Sequence, residues 1–211
     1  MGADESLAPF HPVPGHEAEW IPWPRPVPAT WKAFLDAMLA GRALAPDAIF
    51  VGISFGGMVA QKLAERIRPR GIILIGSLTT TGSLPALLRM FKPILPWLPR
   101  GIFNFGIMPG AIAARVFGVR EKAHLDLLYA MAKRIAPEDG RNLNILALDF
   151  ASARPAGVAV RTINGVRDRI IRAKGETRDE IMPDGGHLIS LTHAAGVNAA
   201  LARWIGEMER A

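Results

Sequence analysis

The chain has 211 residues, half of them hydrophobic, which is enough to bury the core of one domain. The absence of cysteine excludes a disulfide framework, a thiolate metal site and a cysteine nucleophile. The net charge of +6 comes from dispersed basic residues without an aromatic-interleaved stripe, so we expect a solvated basic surface and no nucleic-acid partner. No apolar run reaches the length of a membrane span and no signal-peptide pattern is seen, so we expect no stable membrane insertion and a cytoplasmic protein.

The first part of the chain is rich in proline. Residues 1–15 predict little structure beyond one helical turn around Glu5–Pro9. Ala18–Trp23 predicts a strand that Pro24 ends. Thr30 is a suitable N-cap for a helix whose apolar stripe consists of Trp31, Phe34, Leu35, Met38 and Leu39.

The most informative stretch is a strand, a turn and a helix around Ser54. Ala48–Val51 is a short apolar run typical of a buried strand, and helical spacing begins at Met58. Between them lies Gly52-Ile-Ser-Phe-Gly-Gly57, a G-x-S-x-G motif in the context that a nucleophile requires. So tight a turn holds the hydroxyl at the strand tip, near helix N–H groups that favour developing negative charge. The alternative is a Gly-rich loop that binds a phosphate or simply turns.

A long helical region interrupts the strand pattern after the strand, turn and helix around Ser54. Ile72–Ile75 predicts a second buried strand, but residues 78–154 contain no convincing strand. Helices are predicted near residues 84–91, 111–117, 125–135 and 143–150. We interpret 78–154 as a helical cap inserted between two parts of an α/β core, 1–77 and 155–211. Its Leu, Phe, Ile and Trp content suits an apolar substrate pocket, although most such side chains in any protein serve packing.

The strand pattern resumes in the last part of the chain. Val158–Asn164 predicts a strand followed by Asp168, and Thr177–Met182 predicts a weaker strand followed by His187. A long amphipathic helix around Val197–Met208 ends the pattern. The fold class is therefore α/β, with a mostly parallel sheet of about five strands, flanking helices and an inserted helical cap.

Three polar side chains follow strand ends, where the loops of a parallel sheet gather. Ser54 would act as nucleophile, His187 as its general base, and Asp168 as the group that orients the imidazole. The backbone N–H of Phe55 would contribute to an oxyanion hole. Each residue also has a simpler explanation: Asp168 could cap a turn or pair with Arg167 or Arg169, and His187 could be an ordinary histidine on a Gly-rich loop.

Other acidic and histidine residues fit the site less well. Asp149 is predicted on a helix, and Asp184 stands only three residues before His187, so both are weaker candidates for the acid. His193 lies near the last helix and is expected at the surface or as a cap. No His, Asp or Glu spacing resembles a metal site, and we expect no metal and no cofactor.

At this point the chain resembles the α/β-hydrolase fold superfamily, small bacterial members in particular. The matching motifs are Gly52-Ile-Ser-Phe-Gly-Gly57, Asn164-Gly-Val-Arg-Asp-Arg-Ile-Ile171 and Gly185-Gly-His-Leu188. The opening Met1-Gly-Ala-Asp-Glu5 is similar to the segment that follows the first His-Gly or Pro-Gly turn of such proteins. The resemblance covers nearly the whole chain. It implies hydrolysis of a small carboxylic ester, thioester or related acyl substrate through an acyl-enzyme.

One departure from the family pattern concerns the start of the chain. The resemblance implies a central strand ahead of Met1, and it implies a second oxyanion-hole donor at Met1 or Gly2. We therefore expect the native protein to begin about ten residues upstream, the length of one strand. Without that donor the chain could instead be a catalytically impaired binding or partner protein.

Several functions remain open from sequence alone. The same triad serves acyltransferases, amidases, thioesterases and cofactor-free haloperoxidases, and the fold does not choose among them. A phosphate- or nucleotide-binding domain is disfavoured, because the chain has neither a P-loop lysine nor a G-x-G-x-x-G pattern. The acyl and leaving groups, the pathway and the formation of a homo-oligomer are also left open.

Overall fold

The computed structural model describes residues 5–45, 47–79, 90, 93–94, 97–99, 108–151, 155–171 and 178–210. Within them lies one sheet of parallel strands in the order β1-β2-β3-β4. The strands are β1 Ile49–Ile53, β2 Gly71–Ile75, β3 Ala159–Gly165 and β4 Glu180–Met182. The predicted α/β class and parallel sheet are confirmed, with four described strands against about five predicted.

The helix predicted near 143–150 begins about six residues earlier, at Pro137, and the short helix Ile189–Thr192 was not predicted. The other described helices agree with the predicted ones to within a few residues, apart from the one near 84–91. That helix falls almost entirely outside the described residues. A 3-10 helix covers Glu5–Phe10. The α-helices are α1 Trp31–Leu39, α2 Phe55–Ala64, α3 Gly110–Phe117, α4 Lys122–Lys133, α5 Pro137–Asp149, α6 Ile189–Thr192 and α7 Ala194–Arg210. Thr30 caps α1 as predicted, because its hydroxyl accepts the N–H of Ala33. No helix in the described ranges is long and apolar enough to cross a membrane.

The strand predicted over Ala18–Trp23 is wrong. This segment has no ladder partner and lies outside the described sheet. Pro22 and Pro24 lack the N–H that a sheet ladder requires, which outweighs the apolar pattern around them. The segment instead packs its aromatic side chains, Trp20 and Trp23, against two hydrophobic clusters.

Helices cover both faces of the sheet. Ile72 and Leu74 of β2 pack with Ala60 and Ala64 of α2 on one face. Ile73, Ile75 and Ile163 face the other way and pack with α7, including its residue Trp204. This alternation follows from the two-residue period of strands, and every residue of β2 is buried. The central strands are thus held from both sides, and their carboxyl ends open toward the loops that carry the polar side chains.

Candidate active site

The backbone at Ser54 adopts a conformation that residues with a Cβ rarely take. Its φ of 52° and ψ of −119° lie between the end of β1 and the start of α2. The Ser54 N–H donates to Ile75 O at 2.9 Å, and the Ser54 carbonyl accepts the N–H of Gly57 at 3.0 Å. A Cβ added at Gly52 would come within 2.5 Å of Gly56 C, so glycine is required beside the serine. The unusual backbone conformation at Ser54, together with the glycine at position 52, therefore sets the position of the Ser54 hydroxyl at the end of β1.

Phe55, directly after Ser54, is held by aromatic packing. As the first residue of α2, it has a backbone N–H without a carbonyl partner in the helix. Its buried ring stacks on Trp31 with centroids 5.5 Å apart and meets Trp23 edge-on at 4.9 Å. The rings fix the residue whose N–H was predicted as an oxyanion donor. The other predicted donors, Met1 and Gly2, lie outside the described residues.

The three predicted side chains meet at the carboxyl edge of the sheet. Ser54 Oγ is 2.8 Å from His187 Nε2, and His187 Nδ1 is 2.9 Å from Asp168 Oδ2. The side chains of His187 and Asp168 are 0% and 1% exposed. A carboxylate only accepts hydrogen bonds, so we assign the imidazole proton to Nδ1, which leaves Nε2 to accept the serine proton. The arrangement can move a proton from the hydroxyl of Ser54, which is partly buried, to a buried imidazole.

The orientation of Asp168 is set by its own loop. Its second carboxylate oxygen, Oδ1, accepts the N–H groups of Ile170 and Ile171, each at 2.8 Å. Within the described residues, this carboxylate therefore accepts hydrogen bonds from two backbone N–H groups of its own loop and from His187. The Asp168 loop holds the carboxylate, which in turn orients the imidazole.

The weaker candidates lie elsewhere. Asp149 is at the end of α5, and Asp184 is an exposed residue that forms an ion pair with Arg167. Arg167 therefore pairs with Asp184 and not with Asp168, in contrast to the simpler explanation of Asp168 as the partner of a neighbouring arginine. His193 follows α6 and contacts the Thr192 hydroxyl at 2.8 Å.

Two features near the site were missed from sequence. His11 is buried, with its Nδ1 atom 2.7 Å from Asn198 Oδ1, and burial lowers its pKa below 6.5. It stands in a Pro-rich stretch whose composition gives no sign of burial. Phe117 and Gly118, at the end of α3, contact the His187 loop, and the only sequence signal there is a glycine where a helix ends.

Other kinds of site find no support among the described residues. No group of three or more His, Cys, Asp and Glu side chains in the described ranges could hold a metal ion. A concavity of about 610 Å³ lies beside Arg66, Arg68 and Val158. These residues precede β2 and β3, at the edge of the sheet opposite Ser54, so this concavity does not belong to the site.

Comparison with known proteins identifies the family. The model of the Alpha/beta hydrolase family matches residues 10–200, and the chain belongs to this family. The resemblance inferred from the motifs is thereby confirmed. No curated protein matches the chain significantly.

Solved structures show the same fold at low sequence identity. A bromoperoxidase from Bacillus anthracis is 15% identical with a TM-score of 0.60, over 87% of this chain and 77% of that one. The 2-hydroxy-6-oxo-6-phenylhexa-2,4-dienoate hydrolase from Rhodococcus sp. strain RHA1 is 15% identical with a TM-score of 0.58, over 90% and 75%. A thermophilic esterase from Thermogutta terrifontis is 18% identical with a TM-score of 0.55, over 83% and 70%. At these identities the likeness is one of fold and does not choose a substrate.

Proposed function

We propose that this protein is a serine hydrolase that cleaves a carboxylic ester or a related acyl bond through an acyl-enzyme. The observation that carries the proposal is the continuous chain of hydrogen bonds from Ser54 Oγ through His187 to Asp168, with links of 2.8 and 2.9 Å. Membership of the Alpha/beta hydrolase family supports the same reaction class.

In the acylation half, His187 Nε2 takes the hydroxyl proton as Ser54 Oγ attacks the substrate carbonyl carbon. The carbonyl oxygen gains negative charge, which the Phe55 N–H and the N-terminal end of α2 stabilise. Asp168 stabilises the imidazolium that forms. The imidazolium then protonates the leaving alkoxide, which departs as an alcohol and leaves an ester on Ser54.

In the deacylation half, water takes the place of the alcohol. His187 accepts a proton from the water molecule, whose oxygen attacks the acyl-enzyme carbonyl. Collapse of the second tetrahedral intermediate breaks the bond to Ser54 Oγ, and the serine regains a proton from the imidazolium. The products are an alcohol and a carboxylic acid, and every step uses only side chains, backbone N–H groups and water.

Residues 78–154 would form the cap that shapes the acyl pocket. Helices α3, α4 and α5 fall within this range, and α3 ends against the His187 loop, which supports a position above the carboxyl edge. The apolar composition of this region favours an apolar acyl group. The substrate we expect is therefore a small or medium apolar acyl ester.

The test is hydrolysis of p-nitrophenyl esters, from acetate to octanoate, by the wild type and by Ser54→Ala. We expect Ser54→Ala to lower kcat by about 10⁴-fold or more, because the nucleophile is removed. The acyl length with the highest kcat/KM would give the size of the pocket.

A fluorophosphonate probe with intact-mass detection separates this function from a binding role. The wild type should gain one adduct and Ser54→Ala none. Ser190→Ala is the matched control, because Ser190 is buried with a hydroxyl that has no hydrogen-bond partner within the described residues, and it should be labelled like the wild type. An unlabelled wild type would favour the catalytically impaired binding protein instead.

A further inference from the structure

The loop that carries His187 fits between glycines from other segments. A Cβ added at Gly76, after β2, would come within 2.8 Å of His187 O. On the preceding part of the loop, a Cβ at Gly185 would come within 3.0 Å of Gly165 Cα, at the end of β3. These contacts leave the loop little room to move toward either strand.

The third contact comes from α3, far along the chain from the loop. A Cβ added at Gly118 would come within 2.5 Å of Gly186 Cα, and one added at Gly186 would meet Phe117 O at 2.9 Å. Gly118 ends α3 with a φ of 70°, and its N–H donates to Ala114 O. The backbone of Gly118, where α3 ends, therefore lies directly against Gly186, the residue before His187.

Phe117 adds two further contacts from the same helix end. Its carbonyl accepts the N–H of Leu188 at 3.1 Å, and its ring centroid lies 6.1 Å from that of the His187 imidazole. The end of α3 is therefore bonded to the residue after His187, pressed against the residue before it, and packed on the ring itself.

The end of α3 is itself firmly held. Ala113, Phe117 and Val119 are buried in one hydrophobic cluster that also contains Leu128 of α4 and Leu191 of α6. Because α3 is anchored in this cluster, an enlarged residue at Gly118 would transmit its displacement to the His187 loop.

We propose that Gly118 is a positioning residue, whose lack of a side chain lets α3 seat His187 at hydrogen-bonding distance from Ser54. The inference rests on the proposed function for its catalytic consequence. A methyl group 2.5 Å from Gly186 Cα falls about 1 Å short of ordinary contact. Displacement of a catalytic group by about 1 Å can cost about 100-fold in rate.

The experiment compares Gly118→Ala with Gly41→Ala. Gly41 has nearly the same backbone, with φ 71° against 70°, but an added Cβ there meets nothing within 4 Å. Both variants carry the strain of a left-handed alanine, and only Gly118→Ala presses on the His187 loop. We expect Gly118→Ala to lower kcat and the rate of fluorophosphonate labelling by about 100-fold with little change in KM, and Gly41→Ala to retain wild-type values.

A second readout does not depend on turnover. With ¹⁵N-labelled histidine, the imidazole resonances of His187 report its hydrogen bonds to Ser54 and Asp168. We expect these resonances to shift in Gly118→Ala and to stay in place in Gly41→Ala. An inactive, unlabelled wild type would refute the proposed function while this spectrum still tested the position of His187.

A gentler pair of variants covers the case in which Gly118→Ala does not fold. Phe117→Leu removes the ring beside His187 but keeps a buried apolar side chain, and Phe10→Leu makes the same change at a phenylalanine of the same cluster, whose ring packs edge-on against that of His124. We expect Phe117→Leu alone to shift the His187 resonances and to lower kcat by about tenfold. Unchanged His187 resonances and kcat in folded Gly118→Ala or Phe117→Leu would overturn the proposal.

Discussion

The two sides of the candidate site differ in how the fold holds them. On one side, Asp168 follows the inner strand β3 and His187 follows β4, and their side chains are 1% and 0% exposed. On the other side, Ser54 is only partly buried and follows β1, in which Val51 is 45% exposed. The side chains of the acid and the base are buried, whereas the nucleophile is only partly buried.

This difference shows that two mechanisms position one site. The base side depends on distant contacts, in which backbone from α3 and β3 closes around the His187 loop. The nucleophile side depends on local geometry, in which Gly52 allows the turn, and on the rings that hold Phe55. Substitutions should therefore act on the two sides in different ways.

The largest effect is expected on the base side, from Asp168→Asn. The amide can still accept the N–H groups of Ile170 and Ile171 through its oxygen, but its NH₂ group then faces His187 and favours the wrong tautomer. We expect kcat for the best ester to fall about 10⁴-fold. Asp184→Asn, at an exposed carboxylate, should keep wild-type activity. An Asp168→Asn variant with more than about a tenth of wild-type kcat would contradict this role.

The next effect tests the local geometry of the nucleophile side. Gly52→Ala places a Cβ within 2.5 Å of backbone in α2, and we expect it to lower the free energy of unfolding by about 3 kcal/mol. Gly56→Ala lies in α2 with nothing within 4 Å of its Cβ, and it should be neutral or stabilising by up to about 1 kcal/mol. Urea unfolding measures both. Equal unfolding free energies in the two variants would show that the turn can relax.

A smaller effect measures the strain at the nucleophile itself. Ser54→Gly and Ser54→Ala both remove the hydroxyl, but only glycine takes a φ of 52° with a ψ of −119° easily. We expect the free energy of unfolding of Ser54→Gly to be about 1 kcal/mol higher than that of Ser54→Ala. A more stable Ser54→Ala would mean that the turn stores no strain.

The smallest effect concerns the second buried imidazole, His11. Burial lowers its pKa below 6.5, so between that lowered value and 6.5 the unfolded chain binds more protons than the folded one. Its neutral form therefore stabilises the fold fully above pH 6.5, and this contribution declines as the pH falls toward the lowered pKa. We expect the unfolding free energy of the wild type, relative to that of His11→Gln, to fall as the pH is lowered through 6.5.

His16→Gln is the control of opposite sign. The hydrogen bond to Glu209 raises the pKa of His16, so its contribution is present below pH 6.5 and is lost as the pH rises through the raised value. His16 is exposed, and its effect should be small. The role of burial would be refuted if the difference in unfolding free energy between the wild type and His11→Gln did not change with pH. It would also be refuted if that difference increased as the pH fell, as expected for His16.

Much of the fold was predictable because it follows from local patterns. The continuous apolar run of β2 and the apolar stripe of α1 each predicted an element that the structure contains. The prediction failed at Ala18–Trp23, where a short, largely apolar segment suggested a strand. Pro22 and Pro24 lack ladder donors, and the segment contributes its aromatic rings to the core instead.

By itself, the sequence determined the elements and the order of the polar loops. Parallel strands end at one edge, so Ser54, Asp168 and His187 could be expected near one another before any distance was known. Only the tertiary structure decided how they are held. The contact of Gly118 with Gly186, like the burial of His11 against α7, joins segments far apart in the chain. Such contacts form only when whole elements pack together, so no local pattern of residues predicts them.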